Sequence, residues 1–259
     1  MKIRALLLSF LIALGANAAE NEIIVGATPV PHAEILNFIK PTLEKQGYKL
    51  VVKEFNDYVQ PNLATDSKEL DANFFQHIPY LDEFNNVRKT KLVNAGAVHI
   101  EPMAVYSKKY KNIKDVKAGA TVAVPNDPTN ESRALDIIAN AGLVSFKNVP
   151  LKTPVDIVKN PLKLKFKELK AAQVPRALDE VDLAIINSNY ALGANLNPSK
   201  DSIFIESKNS PYVNIVVVKQ GNENSAKIKA LVKALQSDEV KKFIDEKYKG
   251  SVIHINALK

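Results

Sequence analysis

The chain of 259 residues contains no cysteine, and its nine glycines never cluster. Without thiols there are no disulfide staples, no cysteine nucleophile and no thiolate metal centre, so a hydrophobic core alone must hold the fold. No G-x-x-x-x-G-K-[ST] loop cradles a phosphate, and neither G-x-S-x-G nor H-E-x-x-H occurs. Histidine is sparse, at four residues, and arginine is rarer than the charge suggests: Arg4, Arg88, Arg133 and Arg176 are the only arginines among 35 basic residues. Beyond the first twenty residues no apolar run is long enough to span a bilayer.

What is present begins with a leader. Lys2 and Arg4 precede the apolar run "ALLLSFLIAL", and "GANAAE" supplies small residues for an A-x-A cleavage site, so residues 1–18 read as a signal peptide cut after Ala18 or Ala19. Export together with the missing cysteine, which leaves no site for a lipid, implies a soluble protein of the periplasm. The net charge of +7 falls to +5 once Lys2 and Arg4 are removed. The lysines of "KKYKNIKDVK" and "DEVKKFIDEKYKG" alternate with acids and apolar residues as solvated faces do, and no basic stripe with stacking aromatics indicates nucleic acid.

Apolar runs alternate with helical patterns. Strands are expected at "EIIVGA", "KLVVKEF", "LDANFF" (ending at Phe75), "KLVNAGAVHI" and "PMAVYS", then at "ATVAVP", around 164–169, at "DLAIIN" and at "SPYVNIVVVK". Helices are expected over about 32–46, 59–68 and 130–141, with two amphipathic helices ending at Gly250. Such alternation indicates an α/β architecture with mainly parallel sheets. The two closing helices suit a two-lobed molecule whose chain crosses between lobes near Met103–Tyr106 and Tyr212–Ile215. Residues 19–104 and 216–259 would then form one lobe and 105–215 the other.

Two stretches stand out. In "VPNDPTNESRAL", Thr129 or Asn130 suits a helix N-cap, which places Arg133 in the first turn, where the helix dipole disfavours a cation. In "NFFQHIPY", Phe75 and His77 share a face at a strand end and Pro79 turns Tyr80 toward them, as in the ligand sites of α/β sheets. His99 and Glu101 also share a face and could ligate a metal; with no third ligand spaced to join them, a simple polar pair is favoured.

The segments "FNDYVQPN", "DANFFQHIPYLD", "VAVPNDPTN", "AAQVPRALD", "AIINSNYA" and "SPYVN" follow one another as in the NlpA/MetQ family, the methionine-binding receptors of bacterial ABC importers, and the chain resembles that family over its whole mature length. The resemblance implies a two-lobed type 2 periplasmic-binding-protein fold with two crossing strands and the ligand between lobes. It also implies that Arg133 grips the ligand's α-carboxylate with Asn130 beside it, that Asn187 accepts from the ammonium, and that Asn214 adds a polar contact. Tyr58, Phe75, His77 and Tyr80 would line a side-chain pocket suited to a thioether. The implied function is capture of L-methionine for an ABC membrane permease by a monomer, with no catalysis, no cofactor and no resident metal. D-methionine or a methionine-containing dipeptide is an alternative ligand. A metal receptor built on His99 and Glu101, or a hydrolase built on His77 and an acid, are readings of other classes.

The leader makes one prediction. Intact-mass measurement of the exported protein is expected to show a chain beginning at Ala19 or Glu20, and retention of Met1 would refute it.

Overall fold

The structure is a computed structural model that describes residues 21–257; the expected leader and its cleavage site lie outside them. The first sheet contains β1 (Glu22–Ala27), β2 (Lys49–Glu54), β3 (Ala72–His77), β4 (Leu92–Ile100), β12 (Val213–Lys219) and β13 (Ile253–His254), in the order β13-β4-β12-β3-β1-β2. The second contains β5 (Ala104–Tyr106), β6 (Thr121–Pro125), β9 (Lys165–Leu169), β10 (Leu183–Ile186) and β11 (Phe204–Ile205), in the order β11-β5-β10-β6-β9. A small ladder, β7 (Ser145–Phe146) with β8 (Ile157–Lys159), stands apart.

Each sheet is a lobe, and the chain passes between them twice, through residues 101–103 and 206–212. These crossings lie just outside the expected ones. Met103–Tyr106 mostly forms β5, and Val213–Ile215 already pairs within β12, so Ala104 joins the second sheet and Val213–Ile215 the first. The sheets are also mixed rather than mainly parallel: β12 runs antiparallel to β3 and β4, and β5 to β10 and β11. A strand that enters from the other lobe arrives in the opposite sense to the βαβ units already laid down, and apolar alternation carries no direction.

Both faces of each sheet are covered, which explains why the strands read as continuous apolar runs. One face of the first sheet packs on α1 (Glu34–Glu44), whose buried Ile35, Leu36, Ile39 and Leu43 recur at helical spacing. The same cluster takes in the closing helices α8 (Ala226–Leu235) and α9 (Asp238–Tyr248). Gly250, at φ +89°, allows the chain to leave α9 and add β13 to the sheet edge, an element with too little pattern to be read in advance. The opposite face carries Phe75, Tyr80, Leu81 and Phe84, beside α2 (Gln60–Asp66) and α3 (Ile78–Arg88). In the second lobe, α4 (Pro128–Asn140) covers one face with Leu135 and Ile138, while α5 (Val174–Ala177) and α6 (Ser188–Gly193) cover the other, next to the short α7 (Pro198–Asp201).

Helix α4 begins earlier than the sequence suggested. Asp127 is its N-cap, accepting from Asn130 N, and Pro128 occupies the first helical position. Arg133 is therefore the sixth helical residue, beyond the turn where the dipole acts most strongly.

One close approach generates a prediction. A Cβ built on Gly96 of β4 would overlap Cγ1 of Val232 on α8. Gly96→Ala is expected to destabilise by about 1–3 kcal/mol, lowering Tm by several degrees, with partial recovery in Gly96→Ala/Val232→Ala. Thermal unfolding of both variants checks this, and an unchanged Tm for the single variant would refute the packing.

Candidate ligand-binding cleft

A cavity lies between the lobes. Tyr58, Phe75, His77, Tyr80, Asn130, Arg133, Asn187 and Asn214, the eight positions singled out by the sequence, all line it, together with Gln76, Glu101, Ser188 and Asn189. The first lobe contributes the C-terminal end of β3 (Phe75, His77), the first turn of α3 (Tyr80), the loop after β2 (Tyr58) and the start of β12 (Asn214). The second contributes α4 and the turn from β10 into α6. Strand β3 reaches His77 rather than ending at Phe75, which keeps Phe75 and His77 on one face.

Hydrogen bonding sets the polarity of the cavity. Asp127 can only accept when ionised, so Asn130 turns its amide nitrogen toward it, at 2.8 Å. Asn130 Oδ1 consequently faces two donors, His77 Nε2 at 3.1 Å and Asn187 Nδ2 at 2.8 Å. The tautomer agrees: His77 Nδ1 accepts from Tyr80 N at 3.1 Å and caps α3, so the proton sits on Nε2. Asn187 is left with its Oδ1 buried and without a partner. Asn130, expected at the ligand's carboxylate, thus gives its oxygen to His77 and Asn187. An uncompensated buried acceptor is costly, and a cationic donor in the cavity would satisfy it.

Arg133 is 3% exposed, and its charge is paired within the protein. Its Nε and Nη2 donate to Glu206 Oε1 and Oε2 at 3.1 and 2.5 Å, and Nη2 also donates to the Glu101 carbonyl at 2.8 Å. The guanidinium lies 4.2 Å from the Tyr212 ring centre. The partner of this cation is Glu206, 73 residues away in a polar segment with no periodicity to mark it. One edge of the fork is therefore committed, and the remaining Nη1 side is what the arginine offers the cavity.

The opposite wall is aromatic. Tyr58 lies 5.8 Å from both Phe75 and Tyr80, ring centre to ring centre, and 5.0 Å from Tyr190. Its hydroxyl donates across the cleft to Asn189 Oδ1 at 2.7 Å, and the Tyr80 hydroxyl donates to the Tyr58 carbonyl at 2.9 Å. With these polar tips satisfied, ring faces remain for an apolar chain. Gln76 is fixed behind them by Asn62 and Asn73.

His99 and Glu101 do acquire a third neighbour, against expectation. His32, 67 positions before His99 in the chain, places its ring beside them, and one ligand atom from each of the three lies within 4.8 Å of the others. His99 Nε2 is 2.7 Å and His32 Nε2 3.1 Å from Glu101 Oε1; His32 also contacts Asn214 Oδ1 at 3.1 Å and Thr28 Oγ1 at 2.7 Å. Separation along the chain did not reveal the grouping, because β4 and the turn after β1 (Pro29–Ala33) meet only in the folded sheet.

Burial lowers the histidine pKa values, to about 4 for His32, where Glu101 offsets part of the effect, and to about 3 for His77 and for His99. Arg133 adds to the depression at His77 and His254 to that at His99. In the unfolded chain these rings protonate near pH 6.5. The stability that depends on neutral histidines is thus fully present above about pH 6.5 and is lost as pH falls toward 4. Burial raises the Glu101 pKa, which opposes this, since the folded state then binds a proton first. His254, also lowered by burial, adds to the protons taken up on unfolding, while Asp127 and Glu131, raised by burial, join Glu101 in offsetting them, so stability should fall from pH 7 to pH 5 less steeply than the histidines alone would give. Urea unfolding at pH 7, 6 and 5 checks this, and equal stability at pH 7 and 5 would refute it.

This chain is similar to known proteins over nearly all of its described length. The sequence profile of the NlpA lipoprotein family matches residues 23–256. The methionine-binding lipoprotein MetQ of Bacillus subtilis (strain 168) is 46% identical over 249 residues, covering 93% of this chain and 91% of that protein. A solved nutrient binding protein from Burkholderia cenocepacia bound to methionine superposes with a TM-score of 0.87 at 49% identity, covering 90% of this chain and 99% of that one. An ABC transporter, periplasmic substrate-binding protein from Coxiella burnetii does so at 0.87 and 40%, with the same coverages. These names correct the expectation of a soluble protein without an anchor, because the family and its Bacillus member are named lipoproteins. That expectation rested on the missing cysteine, and an absent residue type describes the chain's chemistry rather than the site where its family works. With nearly the whole described chain matched, this protein belongs to the NlpA lipoprotein family.

Proposed function

We propose that the cleft binds L-methionine as a zwitterion and that the protein, acting as a monomer, delivers it to the membrane permease of an ABC importer. The observation that carries this reading is the pairing of opposite poles in one cavity: the uncommitted side of Arg133 and the unpartnered Oδ1 of Asn187. In this reading Arg133 takes the α-carboxylate, and Asn187 accepts from the ammonium. Asn214 is a further polar contact, Asn130 orients His77 and Asn187, and Tyr58, Phe75, His77 and Tyr80 surround the thioether chain. Sulfur packs favourably against ring edges at about 5 Å. The reading includes no catalytic step: His77 spends its ring nitrogens on Tyr80 N and Asn130, and neither meets a carboxylate. Residues 101–103 and 206–212 would serve as the hinge, with ligand favouring the closed lobes.

Calorimetry tests the reading. L-methionine is expected to bind far more tightly than L-alanine. Arg133→Lys should keep a charge for Glu206 while losing the fork geometry, weakening methionine about tenfold or more. Arg133→Ala is the harsher variant: it also strands the Glu206 carboxylate and should lower stability, contrary to what the helix dipole alone suggests. Phe75→Ala should weaken methionine about 10–100-fold with little change for alanine, collapsing discrimination. D-methionine, whose ammonium would swing away from Asn187, should bind more weakly than the L form. A parent protein that does not distinguish methionine from alanine would overturn the proposal.

A further inference from the structure

We propose that Glu101 is the counter-charge for the ligand's α-ammonium, making the cleft selective for a free amino group. This rests on the amino-acid-receptor reading above. Glu101 lies on the first crossing segment; its carbonyl accepts from Arg133 Nη2 while its carboxylate lines the same cavity. A single residue therefore holds the arginine through its carbonyl and also brings a carboxylate to the cavity.

The carboxylate is 5% exposed, and among the described residues no lysine or arginine forms an ion pair with it. Arg133, the nearest cation named in its surroundings, already serves Glu206. Its neighbours are two histidine rings held neutral by burial, both approaching Oε1. The remaining support comes from the Asn189 backbone N–H, which donates to the carboxylate without bringing a charge. A buried carboxylate with hydrogen-bond support and no full counter-ion is expensive, and an ammonium entering the cavity supplies what is missing. Burial pushes the Glu101 pKa up in the empty cleft, and a cation beside it would bring it back down.

The same three side chains could be read as a metal site, but the protons argue against it. A metal on His99 Nε2 would force the ring proton onto Nδ1, which is buried and has no partner. Ligating histidines ordinarily anchor that second N–H on an acceptor. With the proton on Nε2, the ring donates to Glu101 and leaves at Nδ1 only a bare acceptor, the less costly orphan. The histidines thus clamp a carboxylate on a residue that lines the cavity.

The test uses calorimetry with L-methionine and 4-(methylthio)butanoic acid, which keeps the thioether chain and the carboxylate and lacks only the amine. The parent should prefer methionine by about 100-fold or more, since a site built around a polar group rejects the analogue without it. Glu101→Gln, nearly isosteric, should weaken methionine by about 30-fold or more and leave the deaminated acid unchanged or tighter, so that the preference collapses. Glu101→Asp, which keeps the charge but shortens its reach, should fall between. A Glu101→Gln protein that retains the full preference overturns the assignment while leaving the receptor reading intact; a parent that binds neither compound overturns both. Should Glu101→Gln fail to fold, the parent still decides: equal affinity for the two compounds refutes the assignment. Stoichiometric Zn(II) binding by the parent that disappears in Glu101→Gln, with the ligand preference unchanged, would refute it in favour of a metal centre.

Discussion

A guanidinium buried between two lobes must be paired, and the pairing of Arg133 organises much of what surrounds it. Its three partners come from the two crossings: the Glu101 carbonyl on the first, and the Glu206 carboxylate and Tyr212 ring on the second. Glu206 Oε2 also accepts from Met103 N at 3.2 Å, which ties the second crossing to the first. The arginine of the cleft is thus tied to both crossings. In the proposed reading, a ligand that adds an anion to its free side would act on a side chain bound to both connections between the lobes, so that binding and closure would share an electrostatic origin. A lysine could supply the charge but not this simultaneous set of directions, which accounts for an arginine here in a chain that otherwise prefers lysine.

The rest of the cleft follows from a second constraint, the one-way logic of donors and acceptors. Asp127 orients Asn130, Asn130 orients Asn187 and accepts from His77, and the Tyr80 backbone N–H fixes the His77 tautomer. Nothing in this chain of contacts is free to flip without stranding a buried group. Its outcome is a cavity with an acceptor on one side, an arginine edge on another and ring faces opposite. Helix capping serves the site as well: Asp127 caps α4 and His77 caps α3 with the same side chains that set the polarity.

The lobes are already in contact across the cleft through Tyr58 with Asn189 and His77 with Asn130. The Tyr58 and Tyr190 rings also meet across it, and Tyr190 donates to the Asn56 carbonyl. The apolar clusters lie mainly within the lobes, on the faces of each sheet, with Leu192 of the second lobe packed against the core of the first.

The sequence by itself determined the elements and their chemistry. Glu22–Ala27 and Thr121–Pro125 form strands as their apolar runs require, α1 and the two closing helices follow their 3.6-residue periodicity, and the motifs around His77 and Arg133, extended by the family resemblance, gave eight positions that share one cavity. Only the tertiary structure decided the direction of β5 and β12, the start of α4 at Asp127, the pairing of Arg133 with Glu206, and the arrival of His32 beside His99 and Glu101. The physical reason is one of range. Periodicity, capping and turn chemistry act over a few residues and leave their mark on the local sequence. Charge pairing and strand direction depend on which distant segments the crossings bring together, and neither Glu206 nor His32 carries any local sign of the partner it meets in the fold.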